Sequence, residues 1–561
     1  MNAVDVARQA GRRRLLNAFL REAGIHVGQA GLLRISLTAT ERTLIVEVRH
    51  RSVCGHHDYG DTLVLQEDGQ CTPLEHDAFV DMLLTQLSAV AGTVARDGTV
   101  ARPGTVAVAG NGAGPARKTE LATQIANSIA RTTRYVRRGR SAAPSGDAHA
   151  LTRHAEQSLL FGHPFHPTPK SAEGFDDTDL ARYAPELGAS FVLHYFAVAT
   201  RLLTERRVAP GAWIPDELAT VASSGYALLP THPWQARYLL DRPSVSALVA
   251  ADDLVPLGPQ GPEVYATSSV RTVCAPGFET MWKLSLHVRI TNHVRTNPIE
   301  ELQRATDASA FVASLVSSWP HDGFGVLLET GYRTLDPAIV GEALAADSAV
   351  LFRQHPFART GEAPRVLAGL LEEGPDGEIP ELVCCVREAD DVSQWLRRFL
   401  DISLRPMLTL FARDGLSLEG HVQNSLLCTE GGWPTRFWVR DMEGAAISRQ
   451  RLARNGTLDA LPADSPALYD DAGAWLRLRY FAVTNQLGHV VSVLGRYTDS
   501  GEERLWGVVR EAVAGWCEAE PYATQLLSAP ALPAKANLVS RFTGRVERPL
   551  YVDVANPMQE L

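Results

Sequence analysis

Strand-like and helix-like segments alternate from one end of this chain to the other. In RTLIVEVRH (42–50) and DTLVLQ (61–66), β-branched and apolar residues recur at every second position, the period of a strand half-buried in a sheet. The same pattern predicts strands in TMWKLSLHVRI (280–290), SLLCTE (425–430) and RFWVRD (436–441). Longer apolar stretches predict helices: DAFVDMLLTQLSAVAG, RKTELATQIANSIARTTRYVRR, GASFVLHYFAVATRLLTE, residues 391–412, and AWLRLRYFAVTNQLGHVVSVLG. This interleaving excludes all-α and all-β folds and predicts an α+β protein.

With 561 residues, such a chain divides into several lobes. The composition shifts near 92–116 (GTVARPGTVAVAGNGAGPA), which reads as a linker or exposed loop, and again at GRSAAPSGDAH, which closes a first lobe near 148. The expected lobes are 1–148, 149–390 and 391–561. A net charge of −10 and a pI of about 6.0 offer no polybasic face for nucleic acid. The opening MNAVDVARQAGRRRLLNAFLREAG is broken by Asp5, Gln9 and Asn17, so it reads as an amphipathic helix rather than a signal peptide. No apolar run approaches the roughly 20 residues of a membrane span. Cys54, Cys71, Cys274, Cys384, Cys385, Cys428 and Cys517 form no CxxC pair and are odd in number, unlike a disulfide framework. The expected location is the cytoplasm, with no membrane partner.

Of the 54 basic residues only four are lysine: Lys118, Lys170, Lys283 and Lys535. Where arginine is the default cation, a retained lysine can mark a need for a compact point charge. Drift in an Arg-rich sequence explains Lys118 and Lys535 equally well. The surroundings of Lys170 and Lys283 point to a role.

Lys170 ends the block GHPFHPTPK (162–170), where three prolines stiffen the backbone around His163 and His166. Such a loop can hold cations for an anion at little entropic cost, although a Pro-rich turn or half a zinc site would look similar. HPWQ (232–235) reads as a helix start with Thr231 as N-cap. In YATSSVRT (265–272), Ser268, Ser269, Arg271 and Thr272 gather at a strand end. The following strand carries Lys283, and Thr291, Asn292, His293 and Arg295 lie just past it. Cations with hydroxyl donors suit a triphosphate or a polycarboxylate, and the plain alternative is a solvated β face.

In EGHVQNSLLCTE (419–430) and FWVRDMEGAAI (437–447), His421 and Asn424 precede Asp441 and Glu443 across a strand pair. This order follows the logic of kinase-like phosphotransferases, where an Asn and a later strand-end Asp hold Mg2+ against nucleotide phosphates. Hard oxygen ligands from Asn424, Asp441 and Glu443 suit Mg2+ rather than zinc. Neither GxxxxGK[ST] nor GxGxxG occurs at a strand–helix junction, which disfavours a P-loop or Rossmann enzyme. CGHHDYGD (54–61) offers Cys54, His56, His57 and Asp58, too tightly packed for all to reach one metal ion.

Taken in order, the blocks HPxHPxxK, S-x-R-T, K…T-x-x-x-R, HxQN and RDxEG resemble those of the NRPS-independent siderophore synthetases, the aerobactin synthetase IucA/IucC-like family. The resemblance runs from about 150 to 560 and includes the closing RPLYVDVANPM. It implies a hand-like architecture of thumb (1–148), fingers (149–390) and a distantly kinase-like palm (391–561). It also implies ATP and Mg2+ as cofactors, a carboxylic acid such as citrate, an amine or alcohol partner, and release of AMP and pyrophosphate. By motif, Ser268, Ser269, Arg271, Thr272, Lys283, Arg295, His421, Asn424 and Asp441 would hold ATP. Asp441, Glu443 and Asn424 would hold Mg2+. His163, His166, Lys170, Thr291 and Arg295 would face the carboxylate. Arg295, Lys283, His163 and His421 are the expected catalytic groups, with His163 or His421 the candidate proton acceptor. A homodimer is an admissible assembly.

Two other readings stand beside this one: a small-molecule kinase using the same palm, and a siderophore- or citrate-binding protein without catalysis. A kinase has no use for the HPxHPxxK and S-x-R-T blocks. A pure binder has no use for Asp441 and Glu443.

Overall fold

The computed structural model describes residues 1–90, 114–139, 144, 146–315, 318–319, 321–357, 362–545 and 549–559. The predicted linker falls largely outside these residues, as do parts of the 139–149 stretch and Arg548 of the closing block.

The mixed α+β class holds. Strands Gly31–Leu37, Arg42–His50, Asp58–Glu67 and Gln70–Pro73 form an antiparallel meander in sequence order. Helices Ala3–Glu22, His76–Val90 and Gly114–Arg138 accompany it. Asn2 caps the first helix by accepting from Val4 and Asp5 amides, at an end where backbone donors lack intrahelical partners.

At the centre lies an antiparallel sheet, eight-stranded among the described residues. Its order is Leu203–Arg207, Glu329–Leu335, Val350–Gln354, Thr280–Leu284, Thr272–Cys274, Leu254–Ala266, Ser190–Ala199, Tyr226–Thr231. The predicted helix GASFVLHYFAVATRLLTE is corrected here. It is a ten-residue strand, Ser190–Ala199, then a single 3-10 turn, then the edge strand Leu203–Arg207. His232, not Thr231, caps helix Pro233–Leu240, its Nδ1 accepting from the Trp234 amide.

Residues 392–542 contribute helices Val392–Ile402 and Leu404–Asp414, the hairpin Ser425–Glu430/Trp433–Val439, and a long helical run from Asp471 to Tyr497. Within that run Arg479–Leu487 is a π-helix. The apolar cores do not follow chain order. The core around Leu15, Phe19, Leu44, Phe79 and Leu83 also contains Ala534, Leu538, Phe542 and Val552. Glu22 accepts from the Leu538 and Val539 amides, joining the first helix to Asn537–Phe542.

Candidate active site

Register brings the first charges together. In strand Thr280–Leu284, Met281 and Lys283 share a face because side chains alternate with period two. Lys283 pairs with Thr272 on one side, and Met281 pairs with Arg353 on the other. Arg353 pairs in turn with Glu329. One sheet face therefore carries Glu329, Arg353, Lys283 and Thr272 in a diagonal row, and a solvated β face is ruled out, since Lys283 is only 3% exposed.

Asp441 and Glu443 meet this row from the other side. The strand Trp433–Val439 ends two residues before Asp441, which adopts φ 75°, ψ 74° and starts a 3-10 turn at Met442. That turn aims both carboxylates at one ammonium. Lys283 Nζ lies 2.6 Å from Asp441 Oδ1 and 2.7 Å from Glu443 Oε2. Arg353 bridges Glu329 at 2.6 Å and Asp441 at 3.1 Å, and the Met442 amide donates to Glu329. Burial works to raise the Asp441 carboxyl, but Lys283 and then Arg353 outweigh it and hold it far below the usual carboxylate range. Glu443 is also lowered, with Lys283 overcoming burial. Lys283 is raised by the two acids against the opposing effect of burial.

A second buried bridge ties the S-x-R-T turn to the residue that follows strand Trp433–Val439. Arg440 reaches both oxygens of Glu156 at 2.5 and 3.2 Å, and the Ser268 amide and hydroxyl donate to the same carboxylate. Ser268 is thus held by Glu156. Thr272 is buried: its amide donates to Ser269, and its carbonyl accepts from Thr267. Arg271 clasps the Arg295 and Thr296 carbonyls and the Asn297 side chain.

Twelve of the fourteen residues singled out in the sequence line one cavity of about 1220 Å³, all except His166 and Thr272. The blocks that meet there span residues 162 to 443. Val270, Thr291 and Asp441 hold positive φ (69°, 56° and 75°) on its wall. For β-branched Val and Thr this conformation costs on the order of 1–3 kcal/mol, strain that clusters at ligand-binding sites. Arg295 is anchored at this turn: its Nη2 donates to Thr291 Oγ1 and to the Ile290 carbonyl, and the residue lines the cavity. Burial, then the neighbouring Arg271, lowers Arg295 to about 10.

The histidines differ from expectation. His163, His166 and His421 each accept at Nδ1 from the backbone amide two residues on, at Phe165, Thr168 and Gln423. An acceptor Nδ1 fixes the neutral ring as the Nε2–H tautomer. Burial lowers His421 and His166 to about 3, and pushes His163 well below its ordinary value. His166 and His421 are thus neutral Nε2–H donors, and His421 has no lone pair free at Nε2 to take a proton. At His163 both ring nitrogens face donors, the Phe165 amide at Nδ1 and Asn485 Nδ2 at 3.0 Å from Nε2, so Nε2 competes with Nδ1 as the acceptor. Lys170 lines the cavity as an ion pair, with Nζ 2.6 Å from Glu186.

Several cavity residues stand in none of the sequence blocks. Lys535 lies on strand Ala531–Lys535 and rests over the Tyr480 and Phe481 rings at 5.2 and 4.7 Å. Burial lowers it to about 8, partly offset by Glu419. Glu301 rises to about 7 through burial and then repulsion from Glu443. The π-helix places Tyr480, Phe481 and Asn485 together on the wall, a distortion frequent at functional sites. Lys118 bridges Asp81 at 2.7 Å instead of pointing into solvent. In the 54–61 cluster, His56 stacks on His489 and His57 accepts from the Ser52 amide.

Among the described residues no group of three or more His, Cys, Asp or Glu side chains is gathered for a metal. Two hard oxygens, from Asp441 and Glu443, do converge on one cation position, now taken by Lys283. Mg2+ is commonly held by one or two carboxylates plus phosphate oxygens, so the donor set fits it.

Arg271 and Arg295 should separate on substitution. Arg295→Ala should lower turnover by about a hundredfold or more, as expected for a donor facing developing charge, with little change in Tm. Arg271→Ala leaves one buried and two partly buried acceptors without this donor, the buried one worth about 1–3 kcal/mol, so its Tm should fall first. Thermal melts alongside initial rates check this, and near-normal turnover in Arg295→Ala would remove that residue from the site.

Residues 151–372 match the family described as the IucA / IucC family, and residues 393–550 match one described as ferric iron reductase FhuF-like transporter. Among the described residues no helix is long and apolar enough to cross a membrane. The chain is 33% identical to the L-2,3-diaminopropanoate–citrate ligase of Staphylococcus aureus, over 99% of this chain and 96% of that protein. It is 27% identical to the spermidine–citrate ligase of Bacillus anthracis, over 99% and 98% of the two chains. The fold matches that of ATP-bound aerobactin synthetase IucA from a hypervirulent pathotype of Klebsiella pneumoniae, with a TM-score of 0.82, 24% identity and full coverage of both chains.

Proposed function

The chain belongs to the IucA / IucC family, and from that premise we propose that it adenylates citrate with ATP and passes the citryl group to an amine, releasing AMP and pyrophosphate. It is a ligase-type enzyme of siderophore biosynthesis. The convergence of five separate sequence blocks on one cation-rich cavity carries the finer reading. Citrate is favoured because both relatives named above are citrate ligases that differ in the amine.

The chemistry follows from charge. A citrate oxygen attacks the α-phosphorus of ATP, and pyrophosphate leaves. Two anions must meet, so cations have to neutralise both before the bond forms. Lys283, Arg295 and Lys535 line the cavity for this role. His421 adds a neutral Nε2–H donor, which stabilises an oxyanion without changing charge. Asp441, Glu443 and Asn424 would hold Mg2+, which neutralises phosphate charge when bound. Attack by the amine on the citryl carbonyl then expels AMP. The amine proton needs an acceptor other than the Nε2–H of His421, and His163, Glu419 and Glu301, which line the cavity, are the candidates, both carboxyls being raised by burial.

The test is product analysis with purified protein. Citrate- and Mg2+-dependent formation of AMP and pyrophosphate is expected. Stoichiometric ADP would instead establish a kinase, and binding without turnover a carrier.

A further inference from the structure

One end of the cavity differs from the rest. Its wall is apolar, built from Tyr135, Ala172, Phe175, Leu180 and Ala184. In that wall sits one ion pair, Lys170 Nζ to Glu186 Oε1 at 2.6 Å, with side chains 9% and 6% exposed.

The pair is built in, not incidental. The Lys170 amide donates to Ser128 Oγ, and Gly162 takes φ 70° under the lysine stem, where a Cβ would come within 3.1 Å of Lys170 Cε. Glu186 sits in the turn Pro185–Leu187, fixed by proline at its start and by left-handed Gly188 at its end. Replacing a buried ion pair by apolar groups is often neutral or stabilising, so stability alone gives little reason to keep both charges against apolar neighbours.

Resting on the citrate-ligase reading, we infer that this pair selects the nucleophile: it receives an amine that carries its own α-amino-acid group, with Lys170 taking the α-carboxylate and Glu186 the α-ammonium. The charge balance decides the class. The rest of the lining carries more Arg and Lys than carboxylates and suits phosphates and citrate. The Lys170–Glu186 end is neutral and dipolar. A zwitterion inserts into the pair and leaves neutrality intact, with each charge exchanging one partner for another. A simple diamine brings one ammonium that Glu186 can meet, while Lys170 then stays buried without a counter-ion, a penalty that discriminates against it. The remaining amine of a diamino acid is left free to reach the citryl carbonyl.

The test uses matched nucleophiles that differ only in the carboxylate: 2,3-diaminopropanoate against 1,2-diaminoethane, and lysine against 1,5-diaminopentane. The intact enzyme with ATP, Mg2+ and citrate should show kcat/KM at least tenfold higher for the amino acid in at least one pair, expressed mainly in KM. In the double variant Lys170→Met, Glu186→Leu, which removes both charges together, that ratio should fall towards one. Equal or better use of the diamines by the wild-type enzyme overturns the inference, as does an unchanged ratio in the variant. Hydroxylamine, which traps an acyl-adenylate without needing this pocket, separates the two levels. Citryl hydroxamate without discrimination between matched pairs overturns the nucleophile pocket alone. No hydroxamate overturns the ligase reading and this inference with it.

Discussion

Lys283→Arg should lower kcat/KM for ATP at least about tenfold, or 1.4 kcal/mol, although it keeps the charge. Nζ is clamped between Asp441 and Glu443 at 2.6 and 2.7 Å, with Trp282 and Leu284 fully buried on either side. Arg353 already occupies the adjoining side of Asp441. A planar guanidinium is too wide for this slot and would push one carboxylate away from its partner. Lys283→Met should be worse, because Glu443 loses its cation and Asp441 keeps only Arg353. Lys118→Arg is the control. Its bridge to exposed Asp81 can be remade by arginine, so rate and Tm should move by less than about 0.5 kcal/mol. Paired kinetics at saturating citrate decide the matter. If both arginine variants are silent, the scarcity of lysine in this chain carries no information about Lys283.

Lys535→Met should stabilise the ligand-free protein while lowering turnover by about a hundredfold or more. The folded-state pKa of Lys535 is about 8, below the ordinary value of 10.5. Its charged form is therefore disfavoured by folding. The penalty, on the order of 2–4 kcal/mol, is fully present below pH 8, shrinks as pH rises from 8 to 10.5, and is absent above that. The Tm of the methionine variant should exceed that of wild type by a few degrees at pH 7, and the gap should narrow from pH 8 upwards. Anionic substrates reverse the sign, because they favour the charged ammonium. Wild-type KM for citrate or ATP should rise above about pH 8 as that charge is lost. Calorimetry across pH measures the first effect and steady-state kinetics the second. A variant less stable than wild type at pH 7 would show that Lys535 has a structural partner.

The two lysines differ in how they could be found. Lys283 stands in a strand followed by Thr291 and Arg295, so spacing alone gave it a context. Lys535 sits in no motif, and only the packing of Ala531–Lys535 against the π-helix brings it to the cavity. Glu156 and Arg440 are 284 positions apart, and nothing local in the helix around Glu156 announces a partner. The misread segment Ser190–Ala199 has a physical cause. It lies inside the large sheet, between Leu254–Ala266 and Tyr226–Thr231, with both faces covered. Burial on both faces removes the alternation that marks a strand, and a continuous apolar run then looks like a buried helix. His163 and His421 line the cavity and His166 does not, and the hydrogen bonds at their Nδ1 atoms depend on amides two residues downstream, a matter of backbone geometry that residue types do not encode.

The shared core of the first 125 residues and residues 534–552 has a consequence for synthesis. The meander and its helices contain local contacts that can form as the chain emerges, yet the apolar face that Leu538, Phe542 and Val552 cover stays open until those residues leave the ribosome. Glu22 waits as long for the amides that satisfy its carboxylate. More than 400 residues of translation separate the two halves of that contact, so the first-made part of this protein is the last to close, and it is the part most exposed to chaperones and proteases in the interval.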